Sequence, residues 1–337
     1  MKYASLLTLL PIAFTGSLSG QSVEFLFTDY NHAIYQTGAS SSVPLKTQWP
    51  DVTDWGNYNF YTGISIGDPV QQIISNPKIS GPSTDPGGTT IPWDGDGYEL
   101  ELYFDTENDL TTDISAGTYT FSGSIASTAF SQNIVLGSFS KLTDRLLTNY
   151  TELQSFDPTQ PVTIKWEEFT EGQGGLGGFI EIEVSYWDNG TYSVWNLEND
   201  YQGTLNDFGG LDANVTEITI PANTLVGSPY DEYTVEIFFL RIDSLADATD
   251  PSLSGAQVAT VTSMDLVTAI KPQVVNPPSN PWDVFGVDQN GWTDTGDWLG
   301  QLNVNARPWV WSHNMQKYLY IPDGSVSMGG AWAYFPK

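Results

Sequence analysis

Glycine and proline constrain this chain most strongly. The sequence has 32 Gly and 20 Pro among its 337 residues, and they interrupt it every few positions. Because both residues oppose a helix interior, the segments between them leave little room for long amphipathic helices. Several of these segments alternate strictly between apolar and polar side chains, as in residues 98–104, 117–123 and 179–186. Such alternation is typical of half-buried strands, so the sequence predicts an all-β fold of short strands and frequent turns.

Turn residues support the same prediction. Asp188-Asn189-Gly190 separates two alternating segments, and Asn-Gly supplies the positive φ angles that a two-residue hairpin turn requires. We therefore predict a hairpin over residues 179–197 and a first strand over residues 23–27.

The N-terminal residues 1–20 have the pattern of a secretory signal peptide. Lys2 precedes a mostly apolar stretch, and the small residues Ser17 and Ser19 stand where a signal peptidase reads the chain. The stretch is too short for a helix that spans a bilayer of roughly 30 Å. The pattern predicts export from the cell to the extracellular space or the cell surface; a buried N-terminal strand or helix is the alternative.

Cysteine content and charge exclude several classes of function. The chain has no Cys, which excludes disulfides, zinc–thiolate sites and Cys nucleophiles. Its formal net charge of -29 repels nucleic acid and anionic membranes, so we expect no nucleic-acid partner. No later segment has the roughly 18 apolar residues of a membrane-spanning helix, so an integral membrane protein is not expected.

Two β-sandwich domains are predicted, over residues 21–142 and 143–270. In the second, a strand ending in Trp166, then Leu225 before a corner, and then Tyr233 opening the next strand resemble a fibronectin type III domain. The resemblance implies an immunoglobulin-like sandwich in which the Tyr hydroxyl closes the corner. It implies no site residues, because the family is a scaffold without a shared active site.

A Pro-rich linker over residues 271–281 is predicted to space a separate module, residues 282–337, from the sandwiches. The module alternates aromatic and smaller residues in short units separated by turns, which predicts a row of β-hairpins. It is similar to the aromatic C-terminal modules of secreted bacterial surface proteins, and more distantly to Trp/Tyr hairpin repeats that bind cell-wall polymers. The resemblance implies attachment to an envelope component, a polysaccharide or a surface protein.

The aromatic residues of this module are the candidate ligand-binding residues. Exposed aromatic patches mark binding sites, whereas a module of this size without disulfides also needs large rings for its core. The sequence leaves both interpretations open for these rings. The candidates are Trp298, Trp309, Trp311, Tyr318, Tyr320 and Trp332.

No catalytic residue is predicted. The chain has two His residues, His32 and His313. A His general base needs a carboxylate and a nucleophile within reach, and the sequence around His313 supplies Ser312 but no acid, while His32 lies some 280 positions away. The sequence has no Gly-x-Ser-x-Gly elbow, no His-Glu-x-x-His motif and no phosphate loop. A pair of carboxylates could hydrolyse a glycoside, but forty acidic residues make such pairs inevitable.

Calcium is the one cofactor that the sequence suggests. Asp94 and Asp96 stand two residues apart in a Gly-containing loop, and Glu99 follows. Ca²⁺ takes six to eight oxygens, and this loop lacks the full spacing of a twelve-residue calcium loop. A solvated acidic turn is the alternative.

The sequence favours a secreted, non-enzymatic cell-surface or matrix protein with spacer sandwiches and a C-terminal docking module. A carbohydrate-binding protein that stacks sugars on Trp and Tyr is the alternative, and a glycoside-active enzyme is the third hypothesis. Self-association through strand edges is a further option that the sequence leaves open.

Overall fold

The computed structural model describes most of the chain from residue 23 onward. The backbone alone is described at residues 187–188, 191 and 198–199. The predicted signal peptide and residues 273–281 of the predicted linker lie outside the described residues. The described residues are 23–48, 56–66, 73–82, 88–93, 97–188, 191–201, 203, 205–206, 209–225, 233–272, 282, 285–296, 298–322, 325–326 and 333–334.

Strands dominate the described residues, which confirms the all-β prediction. Four short helices, α1 (Leu45–Gln48), α2 (Glu107–Asp113), α3 (Tyr150–Leu153) and α4 (Leu197–Asp200), and the 3-10 turns Thr170–Gln173 and Pro251–Leu253 lie between them. The strands are β1 (Val23–Gly38), β2 (Ser41–Pro44), β3 (Tyr58–Ile66), β4 (Ile74–Ser80), β5 (Thr89–Thr90), β6 (Tyr98–Phe104), β7 (Gly117–Ile125), β8 (Thr128–Leu136), β9 (Val162–Lys165), β10 (Gly178–Asp188), β11 (Thr191–Asn196), β12 (Leu211–Asp212), β13 (Glu217–Ile220), β14 (Tyr233–Asp247), β15 (Gln257–Ile270), β16 (Trp292–Asp294), β17 (Gln301–Asn303), β18 (Trp309–Ser312) and β19 (Lys317–Tyr320).

The chain divides into two compact units, residues 1–272 and residues 273–337. A central sheet organises the first unit, with the order β11-β10-β14-β15-β1-β3-β6 and with β12 and β2 paired to β10 and β1. Neighbouring strands are antiparallel except β1 and β15, which are parallel from Phe25↔Gln257 to Tyr35↔Val267. The first strand of the unit thus joins its last strand at the middle of the sheet.

Two smaller sheets cover one face of the central sheet. The sheet β5-β4-β7-β8 packs on its β1-β3-β6 side around residues such as Leu26, Tyr30 and Phe121. The pair β9–β13 packs on the same face, over the β15-β14-β10 part of the sheet, around residues such as Ile34 and Trp166. Successive inward side chains of β1 therefore enter both cores.

The predicted boundary between residues 142 and 143 does not separate two sheets. β1 belongs to the predicted first sandwich and β15 to the second, yet they are hydrogen-bonded neighbours. The structure differs from the prediction because the parallel pairing of β1 with β15 cannot be recognised from the local sequence of either strand. The two predicted sandwiches are halves of one structure that share the central sheet.

Local predictions fared better. The hairpin over residues 179–197 is present as β10 and β11, which pair from Glu183↔Asn196 to Asp188↔Thr191 and leave a two-residue connection. Trp166 is buried, and its Nε1 donates to the Val215 carbonyl at 2.9 Å. The hydroxyl of Tyr233 donates to the carbonyl of Leu225 at 3.4 Å, which is the corner contact that the fibronectin resemblance implies.

The second unit contains a four-stranded antiparallel meander, β16-β17-β18-β19. Turns separate its strands, as the alternating aromatic units predict. One face of this sheet packs on an apolar core formed by Trp282, Leu299, Leu302, Val304, Val310, Leu319 and Ile321.

No helix among the described residues is both long and apolar enough to cross a membrane.

Candidate functional site

The meander of the second unit has two faces of different composition. Val310 and Leu319 are directly paired across β18 and β19, and both are fully buried. Side chains alternate between the faces of a strand, so the residues on either side of these two point away from the core. Aliphatic side chains therefore fill much of the core, and most of the neighbouring aromatic rings lie on the opposite face.

We call that opposite side the aromatic face; it consists of Trp292, Trp309, Trp311, Tyr318, Tyr320 and Tyr334. Cross-strand pairing places its rings in contact. Trp309 meets Tyr320 and Trp311 meets Tyr318, each pair edge to face with ring centroids 5.1 Å apart. Such pairs stabilise a hairpin by about 0.5–1.5 kcal/mol beyond the area that they bury. The rings are thus held in place without a covering layer from the sheet itself.

Exposure of the rings distinguishes this face from the core. Trp309 is 42% exposed, Tyr318 is 51% exposed and Tyr334 is 65% exposed. Trp292, Trp311 and Tyr320 are partly buried. A contiguous set of exposed rings on one small sheet is an unusual surface for a folded module, and such patches mark contact sites.

Polar groups interleave with the rings. Asn303 on β17 pairs with both Trp292 and Trp311, so an amide lies between two indole rings in the same row. His313 is exposed and meets the edge of Trp292 at 6.2 Å. Residues 271–337 carry five acidic and four basic side chains, so this region is nearly neutral in a strongly acidic chain. The face therefore offers rings for stacking and polar groups for hydrogen bonds, in a region with little net charge.

The six candidate residues do not all lie together. Trp309, Trp311, Tyr318 and Tyr320 share the aromatic face, whereas Trp298 packs on the core side, stacked on Trp282 with centroids 6.3 Å apart and planes at 12°. Trp332 lies outside the described residues. Ligand binding by these rings stays a prediction.

Two members of the face were missing from the predicted set. Trp292 joins it through β16, and Tyr334 joins it through an isolated bridge to Tyr320. Trp292 was accessible from the sequence, since it follows Gly291 in one of the short aromatic units. Tyr334 was not, because its place depends on a pairing that does not extend into a strand.

The predicted calcium ligands are only partly described. Asp94 and Asp96 lie outside the described residues, and Glu99 is a partly buried residue of β6 that pairs with Gly63. Within the described ranges, no group of three or more His, Cys, Asp and Glu side chains is arranged to hold a metal ion. Calcium binding by this loop stays a prediction.

His32 and Asp144 both line a cleft of about 360 Å³ in the first unit. His32 is 2% exposed, and its Nε2 lies 3.2 Å from Oδ1 of Asp144, which also contacts Nζ of Lys141 at 2.9 Å. The hydrogen bond from His32 holds the pKa of Asp144 at about 2, while burial lowers the pKa of His32. At neutral pH the pair is therefore a neutral imidazole beside an ionised carboxylate.

This pair is half of a hydrolytic arrangement. A His general base also needs a nucleophile within hydrogen-bond reach. Among the described residues, the imidazole has no hydrogen bond to a hydroxyl; its side-chain partner is Asp144, and its ring stacks near Tyr58 at 6.3 Å. Asp144 lies in the coil after β8, so the contact fastens that coil to β1.

Acidic side chains also gather on the face of the central sheet opposite the two cores. Glu183 and Glu236 are directly opposite each other on β10 and β14, and Asp29 and Asp265 lie on β1 and β15. Burial raises the pKa of Asp29 to about 7, of Glu183 to about 6 and of Glu236 to about 8, and the Glu183 charge adds to the last shift. Burial also raises the pKa of Asp265 well above its ordinary value.

Comparisons with known proteins yield structural matches at low scores. No family model matches the chain, and no curated protein matches it. The N-terminal four Ig domains of Dscam1 isoform 6.44 match at 13% identity over 64% of this chain and 48% of that chain, with a TM-score of 0.18. The titin domains Z1Z2 in complex with telethonin match at 10% identity over 76% and 99%, with a TM-score of 0.18. These scores are too low to carry an argument, so the architecture rests on the sheets described above.

Proposed function

We propose that the protein is a non-enzymatic extracellular or cell-surface β protein that docks to another molecule through the aromatic face. In this proposal the first unit acts as a spacer or presentation scaffold, and the second unit makes the attachment. The N-terminal signal pattern and the absence of Cys-dependent chemistry agree with this role.

One observation carries the proposal: the rings of the aromatic face are exposed although the module has a separate core. Trp282, Leu302, Val310 and Leu319 are fully buried on the other side of the sheet. Large rings are strongly favoured inside a protein, so leaving Trp309 and Tyr318 in water costs stability. Recognition of a partner is the role that such a surface supports best.

A sugar polymer is the ligand class that the chemistry of this face favours. Indole and phenol rings stack on the apolar faces of sugar rings, and amides such as Asn303 can bond sugar hydroxyls. The near neutrality of residues 271–337 suits an uncharged ligand. An envelope protein is the other occupant, and the experiment below separates the two.

We expect the purified full chain to co-sediment with an insoluble neutral polysaccharide such as cellulose, chitin or a cell-wall glucan. A Trp309→Ala/Tyr318→Ala variant should reduce the bound fraction at least about fivefold, since aromatic contacts of this kind contribute about 1 kcal/mol or more each. Tyr192→Ala is the matched control, because Tyr192 is a 42% exposed aromatic residue of the first unit.

Equal sedimentation of the double variant and the parent would contradict the role of the aromatic face. If no polysaccharide binds but deletion of residues 273–337 releases the protein from the cell surface, the docking role stands with a protein partner. If the protein without residues 273–337 is fully retained at the cell surface, the docking role of the second unit is contradicted.

A further inference from the structure

Buried oxygens without hydrogen-bond partners gather on one part of the central sheet. They lie on the face opposite the two cores and belong to Asp29, Asn31, Asn59 and Asp265, each through its Oδ1 atom. Asp29 and Asn31 are both 1% exposed. Most buried polar side-chain atoms in folded proteins have a partner, so several unpaired acceptors in one place call for an explanation.

Cross-strand pairing brings three of these residues together. Asn31 on β1 pairs directly with Asn59 on β3, and Asp29 precedes Asn31 by two residues on the same face. Their side chains are therefore neighbours at the junction of β1 and β3. Side chains at directly paired positions have Cβ atoms about 4.5–5.5 Å apart.

The hydrogen bonds that these residues do make orient the remaining oxygens. Ser263 on β15 donates to Oδ2 of Asp29 at 2.6 Å, which leaves Oδ1 on the side of β3. Nδ2 of Asn31 donates to Asp265 on β15 at 2.7 Å, so its Oδ1 also faces β3.

Asn59 is oriented the opposite way. Its Nδ2 donates to Oε1 of Glu101 on β6 at 2.8 Å, so its Oδ1 faces β1. All three free oxygens thus point into the junction between β1 and β3.

Charge in this region is unbalanced. Glu101 and Asp265 flank the three residues, and each ion pair within the described ranges involves other carboxylates: those of Asp105, Asp144, Glu171, Glu217 and Asp243. Burying carboxylates without a counter-charge is costly, because desolvation disfavours the ionised form. A cation at this place would supply both the missing charge and the missing ligand.

We propose that Asp29, Asn31 and Asn59 form a binding site for a hard divalent cation, Ca²⁺, between β1 and β3. The donor set is all oxygen, with one carboxylate and two amides, which suits Ca²⁺ and does not suit thiophilic or imidazole-seeking metals. The site contains only one acidic residue, because its other two donors are amides. It is therefore not one of the groups of three or more His, Cys, Asp and Glu side chains mentioned above. Mg²⁺ holds its water shell more tightly than Ca²⁺, so a buried junction discriminates against it.

Thermal unfolding of the full chain tests the proposal. The protein is stripped with a chelator, and its Tm is measured at pH 8 in CaCl₂ and in MgCl₂ of the same ionic strength. We expect CaCl₂ at one hundred times Kd to raise the Tm by about 4 °C or more beyond MgCl₂, because a ligand that binds only the folded state stabilises it. An equal shift in both salts would reflect screening of the net charge and would overturn the proposal.

Variants locate the site. Asp29→Asn and Asn59→Ala should abolish most of the calcium-specific shift, whereas Asp113→Asn, an exposed residue of α2, should keep it. The double variant Asp94→Asn/Asp96→Asn should also keep it, which separates this site from the loop predicted from the sequence. If that double variant loses the shift and Asp29→Asn retains it, the assignment is wrong.

Terbium luminescence gives a readout that does not depend on stability. Tyr61 pairs directly with Asp29 across β1 and β3, so it lies close enough to sensitise Tb³⁺ in the site. We expect emission that Ca²⁺ displaces from the native protein and that folded Asp29→Asn lacks. Undiminished emission from folded Asp29→Asn would refute the assignment even if the thermal data were ambiguous.

Discussion

Glu183 and Glu236 face each other across two neighbouring strands of the central sheet. Like charges at directly paired positions destabilise a sheet, and both groups are partly buried. The pKa of Glu236 is raised to about 8, from an ordinary value of 4.5, mainly by burial and then by the Glu183 charge. The pair therefore holds a proton at neutral pH and gives the fold a pH dependence.

We expect the free energy of unfolding to fall as the pH rises from about 4.5 to about 8. The folded state keeps the Glu236 proton throughout this window while the unfolded state releases it, so raising the pH favours unfolding. One such group contributes a slope of up to about 1.4 kcal/mol per pH unit.

Glu236→Gln removes this group and should flatten the slope, raising stability at pH 9 relative to the parent. Urea titrations at pH 5, 7 and 9 would measure it. Glu24→Gln, which removes an exposed carboxylate of β1, serves as the control. A parent whose stability increases steadily up to pH 8 would refute the shift.

At the scale of elements, β18 and β19 show which residues of the second unit are core and which are surface. Each strand alternates, with Val310 and Leu319 fully buried and Trp309 and Tyr318 exposed. On these two strands the two aliphatic residues are fewer and smaller than the four rings, yet they are the ones that enter the core. Burial, not ring size, therefore decides which substitution unfolds the module.

Leu319→Ala should destabilise the second unit by about 2–5 kcal/mol, since it leaves a cavity in a small core. Trp309→Ala should cost about 1 kcal/mol, chiefly through the lost ring pair with Tyr320. The near-ultraviolet circular dichroism of the full chain during thermal unfolding would report both. If Trp309→Ala is as destabilising as Leu319→Ala, the rings belong to the core and the aromatic face is not a free surface.

At the scale of the molecule, β1 holds the first unit together. Its residues Leu26 and Tyr30 enter one core and Ile34 enters the other, and its backbone pairs with β15, β3 and β2. Without β1, the hydrogen-bonding groups of β15 would form an open edge at the middle of the sheet. Open edges of this kind recruit other chains and lead to aggregation.

Residues 143–270 expressed alone should therefore fail to fold as a soluble monomer, although the sequence predicts them to be a separate sandwich. Residues 21–272 should be soluble and cooperative in unfolding. Size-exclusion chromatography with urea unfolding distinguishes the two fragments. A monomeric, cooperatively folded 143–270 fragment would restore the division into two independent sandwiches.

The sequence by itself determined the local structure of this protein. Alternation of period two marked strands such as β6, β7 and β10, and Asn189-Gly190 marked the turn between β10 and β11. Leu225 and Tyr233, eight residues apart, indicated the corner contact through the fibronectin resemblance. The strands and the turn follow from the steric preferences of a few neighbouring residues.

Tertiary structure alone decided which strands meet. The parallel pair of β1 and β15 joins residues more than 200 positions apart, as Asn31 and Asp265 illustrate at a separation of 234. That pairing merged two predicted domains, brought His32 to Asp144 and gathered free oxygens at one junction. Local sequence cannot encode these outcomes, because pairing is chosen by burying all the apolar faces at once.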